Sequence, residues 1–493
     1  RYTVLEALGK IGKPVPTDIF GQLAADNLLK KAVYDCLAAI GDAASAVILI
    51  EGLKSRMKNA REAAANALVR VRDRLSPAEA ERSVDPLLRE LKGSPHLEGI
   101  MALLDSSDSN VKEVAVRLLA IIGDERSTGL LLRECGDERL RRYAVQAFRG
   151  MGDAGMAALV GMFPNVDQEG RTIIAYLCGE MGGASSAPIL RDGMRDNYPP
   201  LRRAAVEAIG RLGLGQLIPD ISQLLQDPHA EVREGAIGAL TRLAESNAAP
   251  VLQVAQRLSS SLSGEERRDA ALLFSALAAA EHLSRLVKDE DSQVRQTAVA
   301  ALAGMNHKAS LGPLVMALAD ENPEVRISAA TALGEMGSEE VYQPLLLALR
   351  DEDPWVQCAA LKSIGRMGND RAMHAITSII DRADGLVMLT ALESLSAIAS
   401  PVALSLVKKG LAHTDEEVVK EAIAILAEHG DGWIEEYRER LMAHPHWDVR
   451  RHFIMAMVQV QGKKALPHLK QALEREQDDM VKSQLVTIVE NLR

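Results

Sequence analysis

Aromatic residues make up only 3% of this 493-residue chain: 3 Trp, 7 Tyr and 5 Phe. So few rings argue against one thick globular core, because aromatic side chains supply much of the buried area in such cores. Cysteine is scarce as well. Cys36, Cys135, Cys178 and Cys358 lie far apart and form no CxxC pair. That excludes a disulfide framework or zinc knuckle, and it points to a reducing, cytoplasmic setting. No run of 18 apolar residues occurs, so no membrane-spanning helix is expected. Basic residues are outnumbered, 57 Lys and Arg against 68 Asp and Glu, for a net charge of -11. Nucleic acid and anionic membrane surfaces are therefore not the expected partners. A P-loop, a GxSxG elbow, an HExxH pair and a dinucleotide fingerprint are all missing, as are convincing strands to carry them. No catalytic residue, metal or cofactor is expected.

What is present is Ala, Leu, Ile, Val and Met within a hydrophobic fraction of 47%, arranged in copies. DENPEVRISAATALGEMG (320–337) is preceded by DEDSQVRQTAVAALAGMN (289–306) and followed by DEDPWVQCAALKSIGRMG (351–368). Their anchor valines, Val294, Val325 and Val356, are 31 residues apart, and the same step reaches Val387, Val418 and Val449. With small slips the phase extends back through Val232, Leu201, Gly170, Leu140 and Val111 to Ala60 and Leu29. Register held over so many copies is the signature of a repeat architecture.

Each copy reads as two helices. Apolar or small residues recur at +4, +7, +8 and +11 from the anchor, as in Val325, Ala329, Ala332, Leu333 and Met336, which is one face of a helix. Glycine often follows at +12 (Gly41, Gly123, Gly152, Gly182, Gly213, Gly337, Gly368 and Gly430), where a left-handed C′ residue ends a helix. A second helix precedes the anchor, with an early proline such as Pro188, Pro219, Pro250, Pro313 or Pro344. One hairpin buries roughly six to eight apolar side chains at about 1.5–3 kcal/mol each. Ordering it costs on the order of 45 kcal/mol. A lone hairpin cannot fold, so the copies must stack, and residues 1–493 are expected to form one continuous solenoid. The step from Ala60 to Val111 is 51 residues, and the excess predicts an extra helix over 76–93, opened by Ser76 and Pro77. Arg1 falls at the post-anchor position, so the chain is expected to begin inside a helix whose partner helix is missing.

The pattern D-x-x-x-x-V-R-x-x-A-x-x-A-L-G-x-M-G resembles the bacterial HEAT repeat of the phycobilisome-lyase (PBS lyase) type over nearly the whole chain. The resemblance implies an all-α fold: a right-handed α–α superhelix, HEAT/armadillo-like, of about 16 helical-hairpin repeats. It also implies a ladder between the Arg after each anchor and the linker acids. Arg202, Arg233, Arg295 and Arg326 should then lie within hydrogen-bond reach of Asp196, Asp227, Asp289 and Asp320 as structural groups. Deoxyhypusine hydroxylase is a HEAT-repeat enzyme that holds iron through His-Glu pairs. This chain has no His-Glu dipeptide, which argues against that activity.

The ladder lapses at Gln357, Met388 and Val419, and the same third of the chain holds Trp355, Trp433 and Trp447. Histidines gather there too, in HPHWDVRRH (444–452), although no Cys or carboxylate completes a metal set. Outward positions at +2, +6 and +10 of the post-anchor helices carry both signs: Arg142, Arg203, Glu207, Arg211, Arg242, Lys362, Arg366, Glu393 and Arg451. The resemblance places these helices on the concave face. The candidate protein-binding residues are therefore Trp355, Lys362, Arg366, Trp433, His444, His446, Trp447 and Arg451. The function expected is a non-enzymatic protein-binding scaffold or adaptor for an unidentified protein or peptide. A bilin lyase or bilin-binding subunit and a nucleic-acid-binding HEAT-like protein are the alternatives.

Overall fold

The computed structural model describes residues 1–13, 15–305, 308–367, 369–383, 385–398 and 400–492. The described residues form thirty-two α-helices, many entered through a short 3-10 turn, and no strand. The chain divides into two compact units, Arg1–Val254 and Ala255–Arg493. Each unit is a run of stacked helical hairpins, as the repeat phase requires.

The helix Pro323–Met336 shows why these residues fold this way. Asn322 Oδ1 accepts a hydrogen bond from Glu324 N at 2.8 Å, and Pro323 opens the first turn. Val325, Ala329, Ala332 and Leu333 form one stripe and are at most 2% exposed. The stripe packs on the short helix Leu311–Ala317 of its own hairpin and on the equivalent helices of adjacent repeats, Ser292–Met305 and Pro354–Arg366. Gly337 ends it at φ 60 and ψ 10, the left-handed region that favours glycine. Gly123 and Gly213 do the same. Gly41 does not: its φ of -65 and ψ of 151 are extended. There the Asp42–Ser45 capping box leads the chain straight into the next turn. Gly368, expected to end a helix, lies outside the described residues.

Consecutive post-anchor helices approach closely at +9. A Cβ on Gly210 would stand 2.7 Å from the Ala239 Cα, and one on Gly334 would stand 2.3 Å from the Ser363 Cβ. Ser363 Oγ uses the closeness to donate to Ala330 O across the interface at 2.9 Å.

The 51-residue step in unit 1 resolves into two short helices, Pro77–Ser83 and Asp85–Arg89, rather than one helix over 76–93. Ser76 and Glu79 close the expected cap on the first. Pro86 has no N–H to continue the helix, so the chain restarts. Asp85–Arg89 packs against Ala46–Leu53 and Ser109–Ile122. Arg72 fixes it to Lys58–Arg74 through a fork on the buried Asp85, at 2.7 and 3.0 Å. The insertion thus supplies a further outer element but no further post-anchor helix.

Candidate functional site

The linker acids organise the molecule first. Arg202 forks onto Asp227 (2.7 and 2.8 Å), Arg295 onto Asp320 (2.7 and 2.8 Å) and Arg326 onto Asp351 (2.9 and 2.8 Å). Arg267 and Asp289 make the same fork, and Arg171 reaches Asp196 at 3.2 Å. In every case the acid belongs to the following repeat. The acid of the arginine's own linker contributes only its main-chain carbonyl, as Asp196 O does for Arg202 at 2.9 Å. Arg233 likewise donates to Asp227 O and Pro228 O, at 2.9 and 3.4 Å. The forks therefore tie successive repeats together. The guanidinium groups of Arg202, Arg295 and Arg326 are buried where this happens, which suits a planar donor that meets a carboxylate bidentately.

Each linker acid has a second task. Asp320 Oδ1 accepts from Asn322 N, and Asp351 Oδ1 accepts from Asp353 N, both at 2.9 Å. At two of the three lapses, those of Met388 and Val419, histidine takes over this turn. His413 Nδ1 accepts from Asp415 N at 3.0 Å, and His444 Nδ1 accepts from His446 N at 3.2 Å. Met388 and Val419, which stand where arginine otherwise stands, are at most 1% exposed. An imidazole with a bare Nδ1 keeps the turn without a carboxylate that no arginine of the preceding repeat would pair. Burial, helped by the positive Arg440 and Arg450 and by His446, holds the His444 imidazole below its ordinary value. Among the described residues, no three His, Cys, Asp or Glu side chains converge as a metal cage.

Trp355, Lys362 and Arg366 come together on the helix Pro354–Arg366. Asp353 Oδ1 caps it by accepting from Trp355 N at 2.8 Å. Val356 points inward and is fully buried, so Trp355 turns outward and is 62% exposed. Lys362 and Arg366 follow two and three turns later on the same face. With Ile327 and Thr331 on one side and Leu386 and Thr390 on the other, they line a cavity of about 250 Å³. Its floor holds Cys358, whose Sγ accepts from Thr390 Oγ1 at 3.2 Å. Lys362 stands 3.7 Å from Glu393. Arg366 is exposed and carries no ion pair among the described residues.

The other candidates fall elsewhere. Trp433 is 4% exposed and belongs to the core, contrary to its expected place on a binding surface. Its Nε1 donates to Leu426 O (3.1 Å) and Gly430 O (3.0 Å), and its ring meets Phe453 edge-on. The positive φ of Gly430 turns the chain out of the preceding helix, and the indole N–H satisfies the carbonyls left there. Trp447 is 38% exposed and stacks on His446. Arg451 is held by Gln484 at 3.1 Å and Asp448 at 3.3 Å. None of these residues lines the Trp355 cavity. Sequence reasoning missed a larger cavity, about 580 Å³, in unit 1 between Lys58–Arg74 and Ser109–Ile122. The 51-residue step was its signal.

Hairpins stacked in register and tied by arginine forks from repeat to repeat define an α-solenoid. The family model of HEAT repeats matches residues 188–273, 279–347, 342–428 and 411–488, and the chain belongs to that family. It is similar to deoxyhypusine hydroxylase of Eremothecium gossypii, with 25% identity over 248 residues, covering 49% of this chain and 71% of the relative. Among solved structures, karyopherin Kap121p bound to the extreme C-terminus of the protein phosphatase Cdc14p aligns with all of this chain. The identity is 14%, the TM-score is 0.49, and this chain spans 65% of that karyopherin. Human deoxyhypusine hydroxylase in complex with glycerol aligns with 49% of this chain and 96% of its own, at 23% identity and a TM-score of 0.23. No described helix is long and apolar enough to cross a membrane.

Proposed function

We propose that this chain is a non-enzymatic protein-binding scaffold of the bacterial cytoplasm, its repeats of the PBS-lyase HEAT-like kind, and that unit 2 holds a protein segment in the Trp355 groove. One observation carries this reading: an indole 62% exposed stands over a cavity of about 250 Å³, with Lys362 and Arg366 beside it. Binding hot spots are enriched in tryptophan, tyrosine and arginine. The apolar lining of Ile327, Leu386 and Cys358 takes an apolar side chain, and the cations favour acidic residues beside it. The partner segment therefore carries an apolar anchor flanked by Asp or Glu. The hydroxylase likeness fits a shared repeat, since the chain has no His-Glu dipeptide.

The test is the double charge reversal Lys362→Glu/Arg366→Glu. Peptides of eight residues are selected from a displayed library on the wild-type chain, and their affinity and the melting temperature are read for both proteins. Acidic peptides that lose at least tenfold in affinity at an unchanged melting temperature support the groove. Undiminished binding removes this stretch from the site, and a lowered melting temperature returns these residues to structure.

A further inference from the structure

The larger cavity lies where unit 1 gains inserted helices but no further post-anchor helix. Lys58–Arg74 and Ser109–Ile122 are successive post-anchor helices, yet the inserted helices between them lie on the other side. The two are pinned where Arg117 meets Asp73. Between them lies the cavity of about 580 Å³, lined on the first helix from Asn59 to Asp73. At 1.5 Å per residue that wall is about 21 Å long.

The floor is unfinished. Val111, the anchor of its repeat, and Val114 are only half-buried. Every other valine at an anchor position is at most 2% exposed. The anchors of the adjacent repeats, Ala60 and Leu140, are at most 2% exposed, so the apolar surface of Val111 is left open at the bottom of a groove. The walls are polar and acidic. Five carboxylates line the cavity against three cations, and two of those cations are already engaged, Lys31 with Asp35 and Arg117 with Asp73. Glu62, Asp108 and Glu113 remain against Arg70, with Lys58 at 3.8 Å from Glu62 on the same helix. Asn59, Asn66 and Asn110 add amides that both donate and accept.

We propose that this cavity is a second peptide site, independent of the Trp355 groove, which takes an extended segment bearing Lys or Arg beside small apolar side chains. An extended chain leaves its backbone N–H and C=O groups for the asparagine amides, whereas a helix satisfies its own. At about 3.3–3.6 Å per residue, roughly six residues span the wall. A helix of that length is about 10 Å across and needs several times the space. Lysine or arginine side chains meet Glu62 and Glu113, and small apolar ones complete the cover over Val111 and Val114. The carboxylates repel a nucleic-acid backbone.

The experiment uses the full chain carrying Lys362→Glu/Arg366→Glu, so that the other groove cannot select. A displayed library of random eight-residue peptides is panned on it, and the enriched peptides are measured by fluorescence anisotropy. The expected winners carry two or more Lys or Arg residues and bind more weakly as salt rises. Val114→Trp, which fills the groove, and Glu62→Lys/Glu113→Lys should each weaken them at least tenfold at an unchanged melting temperature. If Trp at 114 lowers the melting temperature, the exposed Asn66→Leu replaces it. Enrichment of acidic or neutral peptides, or equal binding to the filled and charge-reversed variants, overturns the proposal. So does a single-stranded oligonucleotide that binds in the peptides' place.

Discussion

Arg326 and Asp351 stand in successive repeats, and their side chains meet in a two-bonded fork, Nε to Oδ2 at 2.9 Å and Nη2 to Oδ1 at 2.8 Å. The third arm of the guanidinium, Nη1, returns to Asp320 O at 2.8 Å. One side chain thus joins its own linker to the next one. Arg326→Ala leaves the largely buried Asp351 carboxylate without its cation, which should cost about 3–5 kcal/mol. Thermal or urea denaturation checks this. A change below about 0.5 kcal/mol would show that the fork does not hold the repeats together.

The same forks set an acid limit. Burial pushes the Asp320 carboxyl up, but the hydrogen bonds from Arg295 and Asn322 N, with the charge of Arg295, carry it below its ordinary value. Asp289 and Asp227 shift the same way for the same reasons. A depressed aspartate contributes stability that is complete above its unfolded value, about pH 4. That stability is lost as the pH falls through the folded value. Melting temperature should therefore drop steeply below pH 4, and Arg295→Ala should flatten that part of the curve.

The histidine turns give a separate window. His444 is depressed by burial, so the folded chain favours the neutral ring. The stability it contributes is complete above its unfolded value, about pH 6.5, and is lost as the pH falls through the lower folded value. His444→Asn keeps an acceptor for His446 N and removes the titration. Melting curves from pH 7.5 to 5 should slope for the wild type and be flatter for the variant. Identical slopes would assign the dependence elsewhere.

Rebuilding the lapsed rung tests the logic of the ladder. Val419→Arg alone buries a guanidinium opposite an imidazole and should destabilise by about 3–5 kcal/mol. Adding His444→Asp supplies the carboxylate and should recover most of the loss. A double-mutant cycle by denaturation measures the coupling. Additive losses would mean that position 444 does not face position 419.

Close helix approach at Gly210 gives a steric prediction. An added methyl would meet the Ala239 Cα at 2.7 Å, and backbone cannot swing aside as a side chain can. Gly210→Ala should destabilise by about 1–3 kcal/mol, despite the better helix propensity of alanine. Equal or greater stability on denaturation would show that the helices have slack.

Repeat phase, helix pairing and the buried stripe were legible because a 31-residue period repeats the same packing problem. Arginine-to-acid pairing was legible in residue type but not in register, since one copy reads the same whether a fork closes within a repeat or reaches the next. Trp433 misled because exposure follows from a tight turn at Gly430 that composition does not show. The unit 1 cavity lies where the inserted helices join the outer layer, and an overlong step tells that residues were added, not which layer they join. Trp355, Lys362 and Arg366 were legible as one face because helix spacing alone places them there.

A protein segment bound in the unit 2 groove must cover Trp355. This is tested most directly by the fluorescence of Trp355 in a Trp447→Phe background, while an acidic peptide selected on the wild-type chain is titrated in. Trp433 is buried and stays constant. The expected result is a saturable blue shift that follows the anisotropy of the labelled peptide and disappears in Lys362→Glu/Arg366→Glu at an unchanged melting temperature. A peptide that binds while the Trp355 emission stays put, or shifts it equally in the charge-reversed chain, would contradict it.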